Sequence, residues 1–379
     1  MDEQTESPPE APPLAEVAPC ENSPGDAPPP SPPGDAVPPS PVADTPPEGV
    51  PELTLCFCTE KRAGRGEDGE PVLALGRRAK GGCSFFMAVM DGMGGAGAGI
   101  ISTDAGDQSE ARLAAQAISR GFHLYTDDFP KTEFGWVGLN INPIVGGVLK
   151  ALLGKYPDAP SGKLRGKIMR RFPSTVAAMW LDDFDDWLHV AWAGDSRAYC
   201  LTPAEGLRQF TRDHARDGAD DPFDGLRADS PMSNLCCAGQ ETNLECKTYS
   251  VPAAPAVFFC ATDGCFGYLP SPMHFEVLLL DTLARANDMD GWRELLKTEI
   301  DAIAGDDASI AMLAIVPEAG AFETLRGAFT ERRAGLIAEL EQVGQLEETA
   351  RRAALKTCWE ERYKKTYCAF AAQEAEAAP

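Results

Sequence analysis

Apolar runs of strand length and stretches of helical periodicity share most of the chain between them. Leu53 to Thr59 and Pro71 to Leu75 read as short strands, and Phe85 to Met90 has the length and the bounding glycine of a buried one. From about Gly97 to Arg120 the residues Ile100, Ala111, Ala114, Ala115 and Ile118 form a helical stripe in Ala-rich sequence, and Pro143 to Leu153 reads as an apolar helix. Thr175 to Leu181 and Trp187 to Ala193 are strands joined by a hairpin turn, Asp182 to Asp186. That acidic run lacks the sixth-position glycine and the closing Glu of a calcium loop. Ala198 to Leu201, Leu207 to Thr211, Thr248 to Val251 and Val257 to Thr262 continue the strand pattern, with a long polar loop from Ala215 to Glu241. Helices at about Ser271 to Ala286 and Gly291 to Ala304 precede a last strand, Ala308 to Val316. Phe322 to Ala372 is strongly helical, with Leu325, Phe329, Leu336, Leu340, Val343, Leu346 and Ala350 near one face. Gly335 and Gly344 weaken a continuous coiled coil, which leaves open a helix packed on the domain or a helical arm for self-association.

Composition separates the ends from the middle. Residues 1–50 hold sixteen of the 32 prolines and ten acids without one Lys or Arg, so they cannot bury enough apolar surface to offset ordering entropy and are expected to form a disordered tail. The expected organisation is a tail over 1–50, a catalytic domain over 51–317 and a helical extension over 318–379. A net charge of −24 argues against nucleic acid or an anionic membrane as partner, since both need clustered Lys and Arg. The basic residues Lys163, Arg165, Lys167, Arg170 and Arg171 are an exception that reads as a charged helix face. No signal peptide or membrane span is legible, so a cytoplasmic location is expected. The twelve cysteines are scattered and the four histidines have no ligand spacing, which disfavours zinc.

The chemistry gathers at strand ends. Asp91-Gly92, Gly194-Asp195, Asp263-Gly264 and Asp306-Asp307 carry one signature at four distant points, as expected of carboxylates brought to a single rim. Glycines after Asp91 let the backbone approach a ligand closely. They also match a dinucleotide-binding spacing, but the carboxylate ahead of them would repel a pyrophosphate, and no strand ending in an acid follows at the required distance. Clustered carboxylates raise one another's pKa values and favour a shared divalent cation. Oxygen-only ligands select magnesium or manganese, and two such ions sharing a water suit phosphoester hydrolysis.

Glu67-Asp68, Asp91-Gly92-Met93-Gly94-Gly95, Pro173-Ser174-Thr175, Gly194-Asp195-Ser196-Arg197-Ala198-Tyr199, Thr211-Arg212-Asp213-His214, Thr262-Asp263-Gly264 and Asp306-Asp307-Ala308-Ser309 follow one another in an order that resembles the PPM (PP2C-type) metal-dependent protein serine/threonine phosphatases. The likeness spans about residues 53 to 317, and Met93, where animal members carry His, resembles the bacterial branch. It implies an α+β fold, a four-layer α-β-β-α sandwich of two antiparallel sheets with Mn2+ or Mg2+ at one edge. By the family pattern Asp91 would bridge two ions, the Gly92 carbonyl would bind one, and Asp263 and Asp306 would hold the other. Asp68, with Glu67, would act through water, Asp195 would match a third-ion position, and residues 215–245 would form a flap that shapes substrate choice. The resemblance further implies a phosphorylated protein as substrate, with a serine/threonine kinase as an expected partner. One departure is the family's phosphate-holding Arg, whose position is Ala63 here; Arg62 or Arg65 would replace it. That departure keeps a second expectation in view, a phosphatase-fold module used for binding or regulation. Cys56 and Arg62 have the spacing of a cysteine-dependent phosphatase, but Glu60 would lie in the phosphate loop and no His precedes the Cys.

Overall fold

The computed structural model describes residues 53–61, 66–77, 83–94, 99–128, 140–157, 170–181, 187–215, 221–226, 232–316 and 322–372. The acidic tail, Arg62 and Arg65, the basic residues Lys163 to Lys167 and the turn at Asp182 to Asp186 lie outside them. Within the unit Glu48–Pro379, the chain begins with β1 (Thr54–Thr59), β2 (Val72–Arg77) and β3 (Cys83–Val89). A hairpin of β4 (Ile100–Thr103) and β5 (Gly106–Ser109) leads into α1 (Glu110–Asp128), followed by α2 (Asn142–Lys155). Then come β6 (Arg171–Ser174), β7 (Val176–Leu181), β8 (Trp187–Ala193), β9 (Arg197–Thr202) and β10 (Gly206–Gln209). A short α3 (Pro222–Gly225) precedes β11 (Cys236–Ala238), β12 (Glu245–Ser250) and β13 (Ala256–Ala261). α4 (Pro272–Arg285), α5 (Met289–Ile303) and β14 (Ala308–Ile315) complete the sandwich.

Two five-stranded antiparallel sheets, ordered β1-β14-β13-β9-β10 and β12-β8-β7-β3-β2, lie face to face. Alternation along each strand sorts the side chains between layers. In β13, Val257, Phe259 and Ala261 pack toward α4 and α5, while Phe258 and Cys260 join Phe85, Met87 and Val89 of β3 between the sheets. Phe86 and Ala88 of β3 face α1 and α2 with Ile118 and Phe122. Central strands are thus buried on both faces, which is why Phe85 to Met90 is apolar without interruption. The rings of Phe85 and Phe258, 5.8 Å apart, tie one sheet to the other. This is the four-layer α-β-β-α arrangement expected.

The stretch before α1 differs from expectation. The helical stripe begins at Glu110, not Gly97, because β-branched Ile100, Ile101 and Thr103 pair across a turn closed by Gly106 at φ +99°. Ser109 then caps α1, its Oγ accepting the Arg112 N–H at 3.1 Å.

The described part of the extension is a succession of helices: α6 (Phe322–Ala328), α7 (Thr330–Gly344), α8 (Glu348–Cys358), a π-helical turn (Trp359–Tyr363), α9 (Lys364–Tyr367) and α10 (Ala369–Ala372). Its apolar stripe, with Leu325, Phe329, Leu336, Trp359 and Tyr367, is buried in the same core as α4 and α5. Among the described residues no helix is long and apolar enough to cross a membrane.

Candidate active site

The sandwich brings the acidic strand ends together at one edge of the sheets. Asp91 lies two residues past the end of β3, and its backbone is fixed by Thr175 between β6 and β7: Thr175 N–H donates to the Asp91 carbonyl at 2.8 Å, and Asp91 N–H donates to Thr175 Oγ1 at 3.2 Å. Gly92 bridges Ser174, and a Cβ there would meet the carbonyl oxygens of Ala111 and Glu67 at 2.6 Å, so no larger residue fits. Asp68 is carried to the same place by the β1–β2 loop, where Gly69 N–H donates to the Met90 carbonyl at 2.9 Å. Its carboxylate is 7% exposed and accepts the Thr262 hydroxyl at 3.0 Å.

Asp263 leaves the end of β13 and Asp195 sits in the β8–β9 turn after Gly194, whose φ of +96° suits glycine. Glu67 accepts from Ser109 Oγ at 2.7 Å, which ties the loop to the cap of α1.

Electrostatics describe a site short of positive charge. Burial, and then the charges of Asp68, Asp263 and Asp195, push the Asp91 carboxyl well above the usual carboxylate range. Burial raises Asp68 to about 7 and Asp195 to about 8, in both cases with help from the Asp263 charge. Asp263 is lifted to about 6 by burial and by Asp306 beside it. Burial and mutual repulsion act against Asp68 and Asp91 being charged together without a counter-charge. Arg197 brings positive charge to Asp195 and Asp263, but its guanidinium is committed to Asp213 in a two-pronged pair at 2.9 and 2.7 Å. Asp195 Oδ1 is buried without a hydrogen-bond partner among the described residues.

The adjacent acids at the start of β14 have different tasks. Asp306 is exposed at the rim, while Asp307 is buried and accepts the backbone N–H groups of Lys61 at 2.7 Å and Glu67 at 2.6 Å. Asp307 therefore holds both ends of the loop that carries Asp68. Thr262 has a similar part: its Oγ1 accepts Ser309 N–H at 2.8 Å and its N–H donates to the Ser309 carbonyl at 3.0 Å. Sequence reading did not single out Thr262, Asp307 or the Arg197–Asp213 pair as supports, although each lies inside a quoted motif; their contacts are with distant residues. Among the described residues, no three His, Cys, Asp or Glu side chains form a ready-made ligand group. Arg62 and Arg65, the candidates for holding a phosphate, lie outside the described residues.

A sandwich of two antiparallel sheets between helix pairs, with carboxylates from β3, β13 and the β8–β9 turn at one edge, is the PPM (PP2C-type) fold. Solved structures similar to this chain include the serine/threonine phosphatase Stp1 from Staphylococcus aureus, 14% identical with a TM-score of 0.50 over 70% of this chain and 96% of that one. A bacterial serine phosphatase is 13% identical with a TM-score of 0.50, covering 70% and 99% of the two chains. No family model and no curated protein matches the sequence. At these identities the likeness establishes the fold.

Proposed function

We propose that this chain hydrolyses phosphoserine and phosphothreonine monoesters in proteins with the help of manganese or magnesium. The observation that carries the reading is the convergence of Asp68, Asp91, Asp195 and Asp263 from remote strand ends, each pushed above the ordinary carboxylate range by burial and by acidic neighbours. The donors fit hard divalent ions: they are carboxylates, and one oxygen of Asp195 is buried without a hydrogen-bond partner among the described residues. Asp91 with the Gly92 carbonyl would hold one ion, Asp263 and Asp306 a second, and Asp195 a third. Bound there, such ions supply Lewis acidity toward a phosphoryl oxygen and a nucleophile at neutral pH.

The chain's own residues set the stage for direct displacement at phosphorus. Asp68, held by Thr262, orients a water and takes up its proton. Asp263 and Asp306 add negative charge to an already acidic edge, so a phosphate approaches only as that charge is neutralised. The Arg197–Asp213 pair holds the β9 edge in place beside Asp195 without contributing free charge.

The test is manganese-dependent release of phosphate from a phosphothreonine peptide by the full chain, lost in Asp91→Asn. The departure at Ala63, where the family's phosphate-holding Arg would lie, supports a second reading, a phosphatase-fold module for binding or regulation. Metal uptake without turnover would select that alternative.

A further inference from the structure

The strand order of the second sheet places one side chain between two of the site's acids. β7 lies between β3 and β8 and runs antiparallel to both, so its start adjoins the ends of β3 and β8, just before Asp91 and Asp195. Thr175 is the residue immediately ahead of β7, and it is fully buried. We infer that Thr175 is a positioning residue that fixes the Asp91 and Asp195 loops against each other, and so couples ion uptake at the two carboxylates. The inference deepens the phosphatase reading above and rests on it.

Toward Asp91 the contacts are polar, the backbone N–H donating at 2.8 Å and Oγ1 accepting at 3.2 Å. Toward Asp195 the same side chain holds both flanking residues. Thr175 Oγ1 lies 2.6 Å from Ser196 Oγ in a buried hydrogen bond, and the methyl packs on Gly194, where a Cβ would come within 2.6 Å of Thr175 Cγ2. A hydroxyl has one proton to give and two lone pairs, so Oγ1 serves both loops at once. From the far side His214 closes the same turn, its N–H donating to the Gly194 carbonyl at 3.0 Å and its Nδ1 accepting the Gly194 N–H at 3.1 Å. Asp195 is therefore presented from a turn gripped on two sides, with Oδ1 buried and without a hydrogen-bond partner among the described residues. Valine has the shape without the hydroxyl and serine the hydroxyl without the methyl, whereas threonine supplies both contacts. Groups that orient the ligands of a metal in this way set its affinity.

The experiment is calorimetric titration of manganese into the metal-free full chain. Thr175→Val should weaken uptake roughly 10- to 100-fold, the scale of losing a group that orients metal ligands, and Thr175→Ser should return it to within about threefold of wild type. Ser196→Ala, which leaves both Asp91 bonds in place, should show a smaller loss in the same direction, and it carries the test if the valine chain does not fold. Adding Asp195→Asn separates positioning from general loosening of the fold. Because Thr175 acts partly through that carboxylate, the valine substitution should cost at least about threefold less affinity in the Asp195→Asn chain than in the wild type. Unchanged affinity in either Thr175→Val or Ser196→Ala, or losses that multiply in full with Asp195→Asn, overturns the inference. The predicted uptake pattern in a chain that releases no phosphate from a phosphothreonine peptide supports the coupling and rejects the phosphatase reading instead.

Discussion

Two groups of buried acids in this molecule have opposite surroundings. Glu276 in α4 is fully buried, yet it is neutralised on every side: Arg332 of α7 donates at 2.6 and 3.1 Å, Leu207 N–H at 2.9 Å, and the Tyr363 hydroxyl makes a further short contact. The carboxylates of Asp68, Asp91, Asp195 and Asp263 instead face one another. A carboxylate satisfied by the protein is part of the architecture; a set in mutual repulsion favours a counter-charge, which the proposed ions would supply. Substitutions in the two places should therefore have opposite signatures.

The largest difference is in activity. Asp91→Asn should lower kcat on a phosphopeptide by roughly 10³-fold or more, the scale of removing a group that acts on developing charge. Its metal-free melting temperature should stay level or rise, since one repulsive charge is gone. Glu276→Gln should do the reverse, costing about 3–5 kcal/mol of stability because Arg332 loses its buried partner. Its kcat per folded molecule should remain near wild type, and urea unfolding followed by initial-rate assays measures both.

Metal removal comes next. Manganese at 100 times its Kd should stabilise the wild-type chain by about 2.7 kcal/mol, reversed by chelation, and should not stabilise Asp91→Asn. A shift of equal size in both proteins would place the ion elsewhere.

How much of this was legible beforehand follows from the range of each interaction. The strand-end aspartates stood out because a carboxylate followed or preceded by glycine at the end of an apolar run is a local pattern. The pairing of Arg197 with Asp213 and the grip of Asp307 on Lys61 and Glu67 are long-range contacts, invisible until the sheets close. The Ile100 hairpin was misread because alanines from Ala111 onward give a helical period that extends backward over residues whose branching favours strand. β6 was missed as well: Pro173 and the positive φ of Phe172 give Arg171–Ser174 no ordinary strand pattern. The apolar stripe of the extension was plain, but a stripe does not name its partner. The structure places it on the domain's own core, with Trp359 against Phe223.

The smallest effect belongs to the neutralised region. His274, two residues before Glu276, shares a 2.8 Å contact between its Nδ1 and Ser271 Oγ, and burial lowers its pKa to about 4. The unfolded chain, with a value near about 6.5, binds the proton more tightly. Stability from this group is therefore complete above about pH 6.5 and is lost as pH falls toward 4. Partial exposure limits the effect to about 1 kcal/mol, and His274→Gln should flatten the profile of melting temperature over that window.

The central claim is that the acidic edge is built around cations the protein does not itself supply. Calorimetric titration of manganese into the metal-free full chain near neutral pH tests it most directly. The account predicts uptake of about two ions with release of protons from the crowded carboxyls, abolished by Asp91→Asn and weakened by Asp263→Asn. No uptake, or uptake indifferent to both substitutions, would contradict it.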